Sequence, residues 1–421
     1  MEVYLFIIAL MLSQLLVTKE SSEKKFAVGN YDEFTPQLKS QMKFRDKKSI
    51  IILLDFIILL TIFAFRNLNV GIDTNTYYDM YVNINVKDIS LIKEPVFWVL
   101  AAFTKMLNLP FYCLLILIGI VTLIGFYIII VKASDTKVYS LYFFVLLGIY
   151  SSSFNGMRQF MALSFFVLAF NAMINNKCFD YVIYCLLATL CHQTAIVLFP
   201  FYLLKYIKLN WKILSVAMCL CIVLIFTFPF LTKIVSKFTS KDYYNLYLVK
   251  GLFKSSITLY SILYIIGMFM GFIWFYKMKK YIKNDDKNKY ELFLMMFYIS
   301  CCIRFVATFS GYFSLINRFA MYFFWSLIVI LPYTIAYFPF PKFKCFYNLC
   351  LECGAVIYFL ISVLVRETGG IYPYNLTNEI SQNGKFAVLL SIVTISIYTI
   401  LQLRWRNPGY EKISKHNNTN I

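Results

Sequence analysis

Histidine and charge are the scarce commodities of this chain. Two histidines, His192 and His416, occur in 421 residues, and charged side chains of both signs make up only 14%. No Walker loop, dinucleotide fingerprint or His-Glu-x-x-His pair is present. ATP-driven pumping and nicotinamide chemistry are thereby disfavoured, and no cofactor is expected. The eleven cysteines show no zinc spacing and lie mostly inside apolar runs, as at Cys219, Cys221, Cys301 and Cys302. They read as small buried hydrophobes, with neither a metal site nor a disulfide framework.

What the chain has is oil: 60% of its residues are hydrophobic. A hydrocarbon layer of roughly 30 Å needs about 20 apolar residues per helix. The runs that qualify or come close are 2–17, 49–65, 110–131, 138–153, 157–174, 180–192, 194–205, 213–230, 256–276, 290–309, 314–338, 345–365 and 385–403. The pair 180–192 and 194–205 is alternatively one long tilted helix, and 95–109 reads as a re-entrant stretch. The expectation is an all-α polytopic membrane protein, one integral domain over 1–421, with about twelve transmembrane helices (range 10–14). Continuous apolar runs, not short alternating ones, favour a helical bundle over a barrel. The first run lacks a leading cation and a small-x-small cleavage site, so it reads as a retained helix.

The net charge of +19 is unevenly spread. Alternate loops carry 26 Lys and Arg on one side and 11 on the other. The positive-inside rule then makes 18–48 a cytoplasmic basic loop and 404–421 a cytoplasmic tail, with 66–93 and 231–255 extracytoplasmic. Anionic lipid headgroups account for most of the excess, and a nucleic-acid partner is not expected. The five lysines of 231–255 run against the rule; either they meet an anionic substrate or the span assignment slips there.

On this topology the unusual polar residues share the outer face. Arg66 ends the second run, where snorkelling to headgroups is the bland reading. Asp73, in Gly-Ile-Asp-Thr, either caps the helix of Tyr77 and Tyr78 or serves chemistry. Glu94-Pro95 has the form of a helix start. Asn155-Gly-Met-Arg158-Gln159 interrupts two apolar runs, and the Arg158 guanidinium suits paired hydrogen bonds to phosphate or a bridge to Asp73 or Glu94. His192, beside Gln193 and Thr194, is placed for substrate contact or proton transfer. Arg318 opens one run and Arg304 closes the one before it, so the two converge at one hairpin; a salt bridge is the other reading of Arg304. Tyr244 and Lys250 offer a ring and a cation to a sugar and a phosphate.

Taken in order, Arg66, Val70-Gly-Ile-Asp73-Thr, Tyr77, Glu94-Pro95, Phe154-Asn-Gly-Met-Arg158-Gln159, Cys191-His192-Gln-Thr-Ala and Arg318-Phe-Ala-Met-Tyr322 resemble the EpsG family, within the Wzy-type O-antigen and exopolysaccharide polymerases. Gln193 departs from the pattern, and the chain after about 345 is unmatched. The resemblance implies a fold like the GT-C-like membrane glycosyltransferases. It also implies polymerisation of undecaprenyl-pyrophosphate-linked repeat units at the outer face of the bacterial cytoplasmic membrane, with lipid pyrophosphate as leaving group. Catalysis would fall to His192 or Asp73 as base, with Arg158 and Arg318 on the pyrophosphate. Arg66, Tyr77, Glu94, Asn155, Gln159, Tyr244, Lys250, Arg304 and Tyr322 would bind substrate. The implied partners are lipid-linked glycans, membrane lipid, a chain-length regulator and a flippase. A lipid-oligosaccharide flippase is the alternative reading of the chain itself, disfavoured by the one-sided clustering of the polar residues. A membrane acyltransferase is a third, disfavoured because no inside-facing acidic or histidine pair serves a cytoplasmic acyl donor.

Overall fold

The computed structural model describes residues 51–84, 94–133, 136–238, 257–310, 312–365, 370–372 and 374–375, with Val3, 6–12 and Leu15 near the start. Among these residues the secondary structure is helical. The basic loop 18–48, most of 231–255 including Tyr244 and Lys250, the run 385–403 and the tail 404–421 with His416 lie outside the described residues.

In chain order the helices are α1 (Ile51–Ala64), α2 (Thr74–Val82), α3 (Pro95–Met106), α4 (Phe111–Ala133), α5 (Lys137–Leu146), α6 (Ile149–Ser152), α7 (Met157–Ile174) and α8 (Cys178–Cys191). They continue as α9 (Trp211–Phe238), α10 (Leu259–Met278), α11 (Asn284–Ser310), α12 (Phe313–Phe324), α13 (Leu327–Ala336) and α14 (Lys344–Leu360). Seven helical stretches are long and apolar enough to cross a membrane; α1, α3, α5 and α8 are apolar but shorter. This is a polytopic all-α membrane protein.

Several runs differ in detail from the sequence reading. The run 138–153 breaks at Gly148, whose φ of +75° lets α5 end and α6 begin. The run 314–338 becomes α12 and α13, with a junction at Trp325–Ser326. The pair 180–192 and 194–205 is a hairpin and not one tilted helix: α8 stops at an extended His192, and Gln193–Tyr206 returns along it as a 3-10 helix. The Tyr181 hydroxyl donates to Leu198 O at 2.6 Å across that hairpin. Fourteen residues of 3-10 helix, at about 2 Å each, reach roughly 28 Å, close to a bilayer, where an α-helix would fall short.

Burial sorts the helices into centre and periphery. The α12–α13 stretch is 78% buried, whereas the first eighteen residues of α9 are 11% buried and present Val216, Leu220, Val223 and Phe226 outward. Such apolar exposure is what a lipid-facing helix requires. The α4–α7 contact is close because Gly125 has no side chain: its N–H donates to Ser164 Oγ at 3.0 Å, and a Cβ would lie 2.3 Å from Ser164 O.

The two ends of the bundle differ in chemistry. One carries Lys205, Lys279 on Glu291 at 2.9 Å, and Asp286, which accepts from Tyr337. Near it, Glu352 is buried and accepts the Tyr139 hydroxyl at 2.9 Å. The other end gathers 62–75, 94, 154–159, 192–194, 318–322, 370–372 and 374–375.

Candidate active site

Three turns build that second end. In the first, Gly71 has φ +92°, donates to Gly370 O at 2.8 Å, and packs so closely that a Cβ would lie 2.9 Å from Thr74 Oγ1 and 3.2 Å from Asn155 Oδ1. Asp73 then makes a reciprocal clasp with the second turn. Its N–H donates to Asn155 Oδ1 at 3.2 Å, and its Oδ2 accepts the Gly156 N–H at 2.8 Å. Of the two readings of Asp73, the side-chain cap on its own helix does not form; the carboxylate sits instead at the start of α7, near that helix's positive end. Asn155 is likewise spent on the clasp.

Arg66 does not snorkel, the bland reading of a cation at a span end. Its side chain is 1% exposed and lies between the Phe63 and Phe154 rings, 4.3 and 4.9 Å from their centroids. It donates to Phe63 O, to Thr74 Oγ1 at 3.3 Å and to Met157 Sδ at 3.4 Å. Arg66 therefore ties α1 to the first two turns.

Glu94 is the hub. It precedes Pro95, the first residue of α3, as the sequence reading expected, but its φ of 53° is a conformation non-glycine residues seldom adopt. Oε2 takes Arg158 Nη1 at 2.5 Å, Oε1 meets His192 Nδ1 at 2.5 Å, and Gln193 N–H reaches Oε1 at 3.4 Å. Glu94 precedes α3, which at 12 residues is not among the helices long enough to cross a membrane. Burial pushes its carboxyl up, but the His192 hydrogen bond and the Arg158 charge outweigh this and hold it below the ordinary value of 4.5. Because a carboxylate only accepts, Nδ1 carries the proton, which leaves Nε2 of a neutral imidazole as an acceptor.

Arg158 is thus paired, with its guanidinium beside the rings of Tyr77 and Phe97 at 5.6 and 5.7 Å. The Arg158 N–H points to the Tyr77 hydroxyl at 3.4 Å. Tyr77 is itself buried, which pushes its hydroxyl up and keeps it protonated. One residue on, Gln159 Nε2 donates to Arg318 O at 2.6 Å and brings α12 to the site. The Arg318 side chain is exposed and forms no ion pair among the described residues. Tyr322, one turn further, is buried with its hydroxyl 3.3 Å from Thr194 Oγ1.

Arg304 does not join this cluster. Its guanidinium contacts Met321 Sδ at 3.5 Å and the Phe324 and Tyr264 rings at 4.5 and 5.3 Å, and no salt bridge forms among the described residues. Phe324 and Tyr322, two residues apart, occupy opposite flanks of α12. Sequence reasoning missed Tyr264 and Thr308 near Arg304. Thr308, one turn after Arg304, was within reach of a helical-spacing argument; nothing local marked Tyr264. Among the described residues no cluster of His, Cys, Asp and Glu has the makings of a metal site.

A carboxylate that fixes an imidazole in one tautomer, with the Arg158 guanidinium on its other oxygen, leaves Nε2 able to accept a proton. Comparison with curated proteins and with solved structures gives no match. Against family descriptions, residues 49–376 match the EpsG family, a span that contains every described element of the site. The chain belongs to the EpsG family.

Proposed function

We propose that the protein polymerises undecaprenyl-pyrophosphate-linked oligosaccharide repeat units at the outer face of the bacterial cytoplasmic membrane. Family membership supports a general role in repeat-unit polymer biosynthesis at the membrane. The observation that carries the finer reading is the Arg158–Glu94–His192 linkage, set at the end of the bundle opposite the lysines.

In this reading His192 Nε2 takes the proton of the acceptor sugar hydroxyl as that oxygen bonds to the donor's anomeric carbon. The bond from that carbon to the pyrophosphate oxygen breaks, and the lipid pyrophosphate leaves with the electron pair. Direct displacement inverts the anomeric centre. Glu94 keeps Nδ1 protonated and stabilises the imidazolium that forms, the role a carboxylate plays beside a catalytic histidine. Arg318, exposed and without an ion pair among the described residues, is the first choice to meet the charge growing on the pyrophosphate; Arg158 holds Glu94 and offers its remaining donors. Asp73, occupied at the start of α7, yields the base assignment to His192.

The test is the lipid-linked glycan that accumulates when the protein is removed from its host. Single repeat units stranded on the outer leaflet are expected. Units trapped on the inner leaflet would replace polymerisation with flipping.

A further inference from the structure

On the flank of α12 away from His192, three buried polar atoms have no hydrogen-bond partner among the described residues: Arg304 Nε, the Tyr264 hydroxyl and Thr308 Oγ1. They belong together. The Arg304 guanidinium lies 5.3 Å from the Tyr264 ring centroid, and Thr308 follows Arg304 by one turn on the same helix face. Arg304 is only 7% exposed, so its charge has left water without gaining a carboxylate among the described residues. Ring and sulfur contacts soften that penalty but do not replace a counter-ion.

The chemistry of the missing partner follows from the groups left unpaired. A guanidinium and two hydroxyls can all donate, so the complement is an anion with several acceptor oxygens. Tyr264 lies on α10 and Arg304 and Thr308 on α11, both long and apolar enough to cross a membrane, and α10 turns Leu263 and Ile266, 57% and 48% exposed, away from its Tyr264 face. An anion reaching this position from the bilayer carries a hydrocarbon tail. We infer that Tyr264, Arg304 and Thr308 form a second anion site, separate from the Glu94 cluster, that takes the phosphate group of a lipid. The inference does not depend on the glycosyl-transfer reading.

The full-length protein, purified in dodecyl maltoside (a detergent without phosphate), is titrated separately with undecaprenyl phosphate, phosphatidylglycerol and inorganic phosphate. Bound ligand is counted by native mass spectrometry. At least one lipid should bind, and Arg304→Gln should weaken it by at least about tenfold. Tyr264→Phe and Thr308→Val should each weaken it by about threefold. Whichever lipid responds names the source. Inorganic phosphate that binds as tightly as the lipids, with the same sensitivity to Arg304→Gln, overturns the lipid assignment.

Tyr264→Phe and Thr308→Val also guard against misfolding of the arginine variant. In a merely empty pocket they delete unpaired buried hydroxyls, leaving lipid affinity unchanged and thermal stability equal or higher. Unchanged affinity in both overturns the site. Because the readout is binding, failure of the His192 base assignment would leave this result standing.

Discussion

Glu94 Oε1 lies 2.5 Å from His192 Nδ1, across 98 residues of chain, while the other oxygen of the same carboxylate holds Arg158. One acid therefore fixes the proton on an imidazole and neutralises a guanidinium. It does so from a left-handed backbone conformation immediately before a proline, where the chain has little freedom to relax. A residue held in this way acts by positioning its partners.

Glu94→Gln keeps the shape and removes the charge. Polymer formation should fall at least about tenfold, in kcat more than in KM, because Nδ1 loses the partner that fixes its proton. The parent should also lose thermal stability in acid. Its Glu94 carboxyl is held below 4.5, so this contribution is complete above that value and disappears as pH falls through the lower folded value. The glutamine variant should lack this component of the acid limb; unfolding profiles that superimpose in acid would remove Glu94 from the linkage.

His192→Gln retains hydrogen bonding and cannot take up a proton. With lipid-linked repeat units supplied to purified enzyme, substrate should bind and little polymer should form. Full turnover would make His192 a binding residue and return the base assignment to Asp73, tested through Asp73→Asn.

Arg158→Lys and Arg318→Lys should each slow polymerisation at least about tenfold, roughly 1.4 kcal/mol of transition-state stabilisation. Their stabilities should differ. Arg158 is part-buried and bonded to Glu94, so its lysine variant should also melt earlier, whereas exposed Arg318 should tolerate the change. Equal melting temperatures for the two variants would contradict the pairing.

Gly71→Ala tests the first turn without touching a charged group. The new methyl must fit within 2.9 Å of Thr74 Oγ1 and 3.2 Å of Asn155 Oδ1 at a φ of +92°. The expected loss is about 1–3 kcal/mol of stability with a matching loss of activity, read by thermal melting and polymer yield.

Cysteine labelling checks orientation. After replacement of the exposed native cysteines, Ile72→Cys and Asn375→Cys should react with an impermeant maleimide from outside, and Asn284→Cys should not. The hydrogen bonds from Asn67 N–H to Asn375 O and from Gly71 N–H to Gly370 O already put 72 and 375 at one end. Labelling at position 284 alone would reverse the molecule in the membrane.

How much of this was legible in the sequence depends on what each residue needed to find. α7 was readable to the residue, 157–174, because an apolar run bounded by Gly156 and by Asn175-Asn176 specifies its own ends. The start of α3 was legible from Glu94-Pro95 for the same local reason. Arg66 was not: whether a cation at a span end turns outward or inward depends on Phe154 and Thr74, brought to it by the fold. Asp73 had the composition of a local cap and found a stronger donor in Gly156, 83 residues away. The bridge from Arg158 to Glu94 was foreseen only as one of two pairings, and His192 at the same carboxylate was not foreseen. Distant partners leave no periodicity behind.

The spacing of the hub's partners has a consequence for biogenesis. Residues 94, 158 and 192 all emerge from the ribosome before α9 is made, so the carboxylate, the guanidinium and the imidazole can meet in a partly synthesised chain. Gln159 waits 159 residues for Arg318. A nascent chain halted after Tyr206 would therefore hold Glu94, Arg158 and His192 and lack the exposed Arg318. In the proposed reaction such a chain would carry the base without the arginine assigned to the pyrophosphate.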